Sequence, residues 1–372
     1  MRVGVPHEGP AERRVATVPD LVPKLQRLAP ELEVVVERGS GEGSGFPDGA
    51  YVEKGARVVD RAEAVGSDVV IAYEPPPAGE LAEGTVLVCC PDPLGHPERI
   101  AELARAGVTC FALEMVPRIS RAQTMDVLSS QANVGGYKAV LLAAAALPKL
   151  FPMLMTSAGT VRPARVFVLG AGVAGLQAIA TARRLGAVVE AFDIRSETKE
   201  QVESLGARFV ELDVGAGDAQ DEGGYAKELT DEQKERQAEL MAEAIRAADV
   251  VITTAQVPGR KAPLLVPADV VEGMRPGSVI VDMAADSGGN CALSKPGEEV
   301  VAHGVTILGP SNLPGSVAQT SSQLFANNLV AFLGEIVADG ELKVDLENEV
   351  VRGALACHEG EVTQERIREA LS

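Results

Sequence analysis

Along its first third the chain alternates short apolar or β-branched runs with segments of helical period. Met1–Val5, Leu32–Val36, Val69–Tyr73, Thr85–Cys89 and Val108–Leu113 are the apolar runs, and Pro97–Ala106 carries helical spacing. Such runs, separated by helix-period segments, predict βαβ units and therefore a parallel sheet. From Ser129 to Leu150 a stretch rich in Ala and Leu reads as a helix, with Pro148 and Pro152 opposing its continuation. The strand rhythm then restarts at Val166–Leu169, Val188–Phe192, Arg208–Leu212, Val250–Thr253, Ser278–Asp282 and Val305–Leu308. A further helix-period run, Val317–Val337, is long enough to carry the chain back to the first domain.

The expected class is α/β, with two Rossmann-like domains whose parallel sheets are separated by a cleft. Residues 1–128 with 312–372 form the first domain, and residues 129–311 form the second. At 372 residues and 46% hydrophobic content the chain can bury two cores. Its net charge of -19 argues against nucleic acid as a partner, because little basic surface is available to replace counterions on a phosphate backbone. The five cysteines, Cys89, Cys90, Cys110, Cys291 and Cys357, lack the paired spacings of a zinc site or a disulfide framework. His7, His96, His303 and His358 are equally scattered, so no metal site is expected. Ala139–Leu147, held between Lys138 and Lys149, is too short to cross a bilayer, and no span is expected. The segment 213–237, rich in Gly, Asp and Glu, is long for a connection inside an α/β domain and reads as either a functional or a disordered loop.

One motif carries chemistry. The strand Val166–Leu169 runs directly into Gly170-Ala171-Gly172-Val173-Ala174-Gly175, and Leu176–Leu185 follows with helical character. In this order Gly170 permits a tight turn, Gly172 lets backbone N–H groups approach a pyrophosphate at a helix N-terminus, and Gly175 allows close helix packing. In a chain with 38 glycines the bare spacing can arise by chance, but strand, helix and a following acid do not combine so readily. That acid is Asp193, at the end of the next strand, where it can accept hydrogen bonds from the adenosine ribose and repel a 2′-phosphate. Arg195 lies two residues on and could accommodate such a phosphate; beside Asp193 we read it as flanking the adenine. The cofactor expected is NAD(H).

Three segments then stand together: the glycine motif continued through Gln177-Ala178, Asp282-Met283-Ala284-Ala285-Asp286-Ser287-Gly288-Gly289-Asn290-Cys291, and Asn312-Leu313-Pro314-Gly315-Ser316. They resemble the family that joins L-alanine dehydrogenases to the NAD(H)-binding component of proton-translocating transhydrogenases. Arg14, which the resemblance sets opposite a substrate carboxylate in the dehydrogenases, suits both branches. Pro117–Asp126 resembles the transhydrogenase loop that holds the nicotinamide end, and implies roles there for Arg118, Gln123 and Asp126; chemically, the guanidinium and the amide can orient ribose and carboxamide while Asp126 fixes Arg118, the alternative being a solvated loop with ordinary charges. Gly223–Glu228 resembles a mobile loop over the nucleotide. The same resemblance adds Val173, Ile194, Gly224, Tyr225, Gln237 and Gln256 to the nucleotide contacts, although spacing alone makes Gln237 a helix-surface residue.

Tyr73-Glu74-Pro75 and Cys89-Cys90-Pro91 stand where the dehydrogenases carry a lysine and a histidine for imine chemistry, so the players for acid-base work on an amino acid are missing. Asp286 resembles the dehydrogenase pattern and keeps an NAD-dependent amino-acid dehydrogenase as the alternative; a non-catalytic NAD(H) sensor is a third reading. What the transhydrogenase branch implies is a homodimer. It would be peripheral on the inner face of the cell membrane, working with membrane-embedded subunits and an NADP(H)-binding component, and without a membrane span of its own.

Overall fold

The first part of the chain folds as β1 (Arg2–Val5), β2 (Glu33–Glu37), β3 (Arg57–Val59), β4 (Val69–Ile71), β5 (Val86–Cys89) and β6 (Thr109–Ala112), with an apolar run behind each except β3. They are seen in a computed structural model that describes residues 1–211, 231–256, 259–338 and 340–371. All six are parallel, in the order β6-β5-β4-β1-β2-β3. β4, β5 and β6 are buried at every position. Alternate side chains enter two cores, with Val69, Ile71, Val88 and Phe111 on one face and Val70, Leu87, Cys89 and Cys110 on the other. Two-sided burial is why these strands read as unbroken apolar runs. β3 is absent from the expected strands because it is a three-residue edge that begins with exposed Arg57. β4 is shorter than its apolar run: Tyr73 lies beyond it and gives its amide N–H to the Glu8 carboxylate at 2.6 Å.

Contacts divide the chain into two compact units, Met1–Val134 with Pro314–Ser372, and Gly135–Leu313. The division falls inside one helix, Val127–Ala146. In the second unit β7 (Leu154–Thr156) and β8 (Gly159–Val161) form an antiparallel hairpin whose strand residues are all exposed.

The main sheet of that unit contains β9 (Arg165–Leu169), β10 (Val188–Phe192), β11 (Arg208–Phe209), β12 (Val250–Thr253), β13 (Val279–Asp282), β14 (Glu299–Ala302) and β15 (Val305–Leu308), in the order β11-β10-β9-β12-β13-β15-β14. Every pair is parallel except β14 with β15. Apart from that edge hairpin, the order is that of a doubly wound dinucleotide fold. β14 escapes a reading by apolar runs because none of its residues is fully buried. The central strands again feed two cores, Val166, Val168, Val250 and Ile252 on one side and Phe167, Leu169, Val251 and Ile280 on the other.

The helix Ala318–Ile336 lays Phe325, Leu329, Phe332, Leu333 and Ile336 into the core of the first unit. A short pair, β16 (Val337–Ala338) and β17 (Glu341–Leu342), follows. β18 (Leu355–His358) then joins β6 antiparallel, and β19 (Glu361–Val362) completes an eight-stranded sheet. Among the described residues no helix is long and apolar enough to cross a membrane.

Candidate functional site

In a doubly wound sheet the chain departs from two neighbouring strands in opposite directions, opening a crevice at their carboxyl ends. In the second unit that pair is β9 and β12. β9 runs into the glycine motif, and the helix Val173–Arg184 starts inside it. Gly170 has φ of 100°, in the left-handed region, and a Cβ there would lie 2.5 Å from Thr254 Oγ1. A Cβ on Gly175 would lie 1.8 Å from the Gly170 carbonyl oxygen, so helix and turn can approach only through glycine. Gly172 differs, because the nearest atom to its Cβ position is Arg195 Nη2 at 4.0 Å. The protein's own packing does not require glycine there. What the missing side chain leaves is open space beside a helix N-terminus, where the first helical bond runs from Leu176 N–H to Gly172 O at 2.8 Å. Backbone amides that precede such a bond are free to meet an anion. These features fit the dinucleotide that the motif implies.

Asp193 follows β10 and is buried. Its Oδ2 accepts from Ala171 N at 2.7 Å, tying the acid to the glycine turn. Arg195 donates to Oδ1 through its backbone N at 2.9 Å and its Nε at 3.0 Å, and to Oδ2 through Nη2 at 3.0 Å. Burial pushes the Asp193 pKa up, but the Arg195 and Ala171 hydrogen bonds outweigh it and hold the carboxyl below its ordinary value. The acid expected to read the ribose is thus positioned and ionised. Ile194 beside it is exposed, as is half of the Arg195 side chain.

At the end of β12, Thr254 Oγ1 donates to Leu169 O and Gly170 O, each at 3.2 Å. Asn290, fully buried, clips the next residues: its Oδ1 accepts from Ala255 N at 3.1 Å and its Nδ2 donates to Ala255 O and Pro263 O. Asp282 closes the same loop by accepting from Thr253 Oγ1, Ala284 N, Cys291 N and Ser294 Oγ. The Asp282–Cys291 motif is therefore a clasp that shapes the crevice wall. Sequence reasoning gave Thr254 and Asn290 no role; their signal was only their place, one just after β12 and the other inside a motif.

The remaining nucleotide candidates are spread over the same unit. Val173 opens the nucleotide helix and is exposed, Gln256 is exposed and donates to Met283 O at 2.8 Å, and Gln237 is half-buried on the helix Asp231–Ala247. Gly224 and Tyr225 lie outside the described residues.

In the first unit, Ser120–Met125 is a 3-10 helix with Ala122 and Met125 buried and Gln123 exposed. The loop is anchored by residues that the sequence left unmarked. Arg121 donates to Glu335 Oε2 at 2.9 Å and Asn348 Oδ1 at 2.6 Å, and Asn328 Nδ2 holds Thr124 O at 2.7 Å. The expected Asp126–Arg118 pair does not form. Asp126 instead accepts from Ser129 N at 2.8 Å and Ser129 Oγ at 2.6 Å, capping the helix Val127–Ala146, while Arg118 is exposed. A helix N-terminus with a serine three residues on supplies closer donors than an exposed arginine.

Arg14, also in the first unit, is buried and engaged on every side. Glu12 takes Nε at 2.8 Å and Nη2 at 2.6 Å, Gln131 takes Nη1 at 2.9 Å, and the Tyr73 ring centre lies 3.3 Å from Cζ. Phe325 packs on Tyr73 with ring centroids 4.9 Å apart. Burial pushes the Tyr73 hydroxyl and the Cys90 thiol above their ordinary ranges, so neither is poised for acid-base work near neutral pH. The guanidinium thus spends Nε, Nη1 and Nη2 on Glu12 and Gln131 and one face on the Tyr73 ring.

Two family models cover the chain: the alanine dehydrogenase/PNT N-terminal domain matches residues 4–135 and the C-terminal domain matches residues 139–365. The chain is 46% identical over 377 residues to a Rhodospirillum rubrum protein named as the first portion of an NAD(P) transhydrogenase subunit alpha, covering 97% of each. It is 30% identical to an alanine dehydrogenase of Bacillus subtilis, covering 99% of this chain and 94% of that one. Its fold matches a solved transhydrogenase structure from Sinorhizobium meliloti with a TM-score of 0.86 and 44% identity, over 98% of this chain and 99% of that one. The chain belongs to the alanine dehydrogenase/PNT family.

Proposed function

We propose that the chain is the NAD(H)-binding subunit of a proton-translocating NAD(P) transhydrogenase, and that it presents the nicotinamide for direct hydride transfer to NADP(+) on a partner subunit. The observation that carries the reading is the Gly170–Gly175 turn with Asp193 hydrogen-bonded to its Ala171 amide, at the carboxyl ends of β9 and β12. It is supported by similarity to proteins named as transhydrogenase alpha subunits.

The open side of Gly172 lets backbone amides hold the pyrophosphate, and ionised Asp193 takes the ribose hydroxyls. Val173, Ile194, Gln237 and Gln256 complete the nucleotide contacts, with Arg195 beside Asp193 at the ribose. Arg118 and Gln123 orient the carboxamide and its ribose, while Asp126 sets the start of the helix behind them. When bound, NADH supplies the hydride. Transfer between two nicotinamides moves no proton, so the chain's contribution is positioning and exclusion of water, which agrees with the Tyr73 hydroxyl and the Cys90 thiol being unsuited to proton transfer. The chain works as a homodimer, peripheral on the inner face of the membrane through partner subunits.

The test is a single preparation assayed in three ways: NADH binding by fluorescence, reduction of NAD with L-alanine, and reduction of NADP(+) by NADH after mixing with membranes that carry the partner subunits. Binding without alanine turnover, and hydride transfer only in the mixture, is the expected result. Turnover with L-alanine alone would replace this reading with an amino-acid dehydrogenase.

A further inference from the structure

An ionised carboxylate offers about four acceptor positions, two on each oxygen. Asp193 has donors for all four. Oδ1 receives Arg195 N and Arg195 Nε, and Oδ2 receives Ala171 N and Arg195 Nη2. A ribose cannot donate to this carboxylate while the Arg195 guanidinium remains. A second observation points the same way: Arg195 Nη2 is the atom nearest the Cβ position of Gly172, at 4.0 Å, so the guanidinium stands at the edge of the space that the glycine keeps open.

We infer that Arg195 is a built-in competitor for the adenosine ribose, a latch that the nucleotide displaces on binding. The proposal rests on the NAD(H) reading of this site. With the guanidinium turned away, the two backbone donors, Ala171 N and Arg195 N, still fix Asp193. One acceptor position opens on each oxygen, which suits the two hydroxyls of a ribose diol. The side chain is 52% exposed and, among the described residues, directs its hydrogen bonds to Asp193, so rotating it into solvent disrupts no core. The same residue gives the site its handedness between cofactors. A 2′-phosphate would lose the diol's hydrogen bond to Asp193 and meet its charge, and could be retained only by the released guanidinium. Arg195 therefore weakens a ligand that carries the diol and strengthens one that carries the 2′-phosphate.

The opposite signs make the test. Adenosine and adenosine 2′-phosphate are titrated as competitors of NADH fluorescence on the wild-type chain, on Arg195→Ala, and on Arg195→Gln, which keeps the side-chain bulk. Loss of a half-exposed ion pair is expected to tighten adenosine up to about fivefold. Loss of the cation is expected to weaken adenosine 2′-phosphate by about tenfold. Unchanged or weaker adenosine binding in both variants would overturn the latch, because Arg195 would then be a bystander or a direct adenosine contact. If the wild-type chain gives no NADH signal, the nucleotide reading itself falls, and the same titration reports it.

Discussion

Gly136 stands inside the helix Val127–Ala146 against Ala174, so close that a Cβ on the glycine would lie 2.1 Å from the Ala174 carbonyl oxygen. Glycine in a helix interior costs about 1 kcal/mol relative to alanine. Here that cost is offset by the close approach of one helix to the first turn of the nucleotide helix.

Gly136→Ala sets helix propensity against overlap, and overlap wins because the obstructing atom is backbone and cannot rotate aside. Overpacking of this kind costs about 1–3 kcal/mol. In a unit of this size each kcal/mol corresponds to roughly 2–4 °C. A thermal midpoint lower by several degrees is expected, with weaker NADH binding because the Val173–Arg184 helix start must shift. A variant as stable as the parent and binding NADH equally well would show that the helices separate without consequence.

Glu114 gives the first unit a pH-dependent stability. Its Oε1 accepts from Asp92 N at 2.8 Å, its Oε2 is buried without a hydrogen-bond partner among the described residues, and burial pushes its pKa from 4.5 to about 7. Glu8 is pushed by burial in the same direction, to about 8, despite the Tyr73 and Glu74 amides. Above pH 4.5 the unfolded chain loses these protons while the folded chain retains them. Unfolding free energy therefore falls as pH rises, until the folded groups ionise near 7 and 8. Glu114→Gln keeps an acceptor at the Oε1 position and removes the charge, so it should stabilise the chain at pH 8, by on the order of 2 kcal/mol, and change little at pH 5. Urea unfolding at the two pH values decides it: parallel losses or gains in variant and parent would remove Glu114 from the account.

The parallel sheets were legible because two-sided burial writes each strand as an apolar run, and the cofactor turn was legible because Gly170 and Gly175 answer to local sterics. Edges were not. Arg57–Val59 and Glu299–Ala302 are strands by pairing with a neighbouring strand, and little in their own composition reports it. The anchors of the Ser120–Met125 loop were hidden for a related reason: Asn328 and Glu335 lie some two hundred positions away. The partner of Asp126 is hidden from the sequence because a capping aspartate and an ion-pairing aspartate look alike until the helix start is located. Gly135-Gly136 within an Ala- and Leu-rich helix signals close packing, which hydrophobic periodicity does not carry.

The exposed hairpin bears on the proposed homodimer. Met153, Leu154, Met155 and Val161 are all exposed on or beside β7 and β8, and a lone two-stranded hairpin is marginally stable in water. From Val127 to Val189 the sequence has no acidic residue but carries Lys138, Lys149, Arg162, Arg165, Arg183 and Arg184, within a chain of net charge -19. An exposed apolar arm of this kind marks a surface for contact with another chain, which in the proposed homodimer is a second copy. The double substitution Leu154→Glu, Met155→Glu should convert a dimer to a monomer in sedimentation equilibrium and leave NADH fluorescence in place. If parent and variant sediment alike as dimers, the hairpin is not the contact.

Gln123 separates positioning from binding. It is exposed on the 3-10 helix Ser120–Met125, whose buried side is Ala122 and Met125 and whose ends are tied by Arg121 to Glu335 and by Asn328 to Thr124 O. Gln123→Asn withdraws the amide by one methylene without touching those anchors or the Gly170–Gly175 turn and Asp193. A small misplacement of an orienting group can cost about a hundredfold in rate, because the reacting atoms leave their near-attack geometry. Hydride transfer in the reconstituted mixture should therefore fall by about that factor, while the NADH dissociation constant moves less than about threefold. Equal losses in rate and affinity would make Gln123 a binding residue, and no loss in either would remove it from the site.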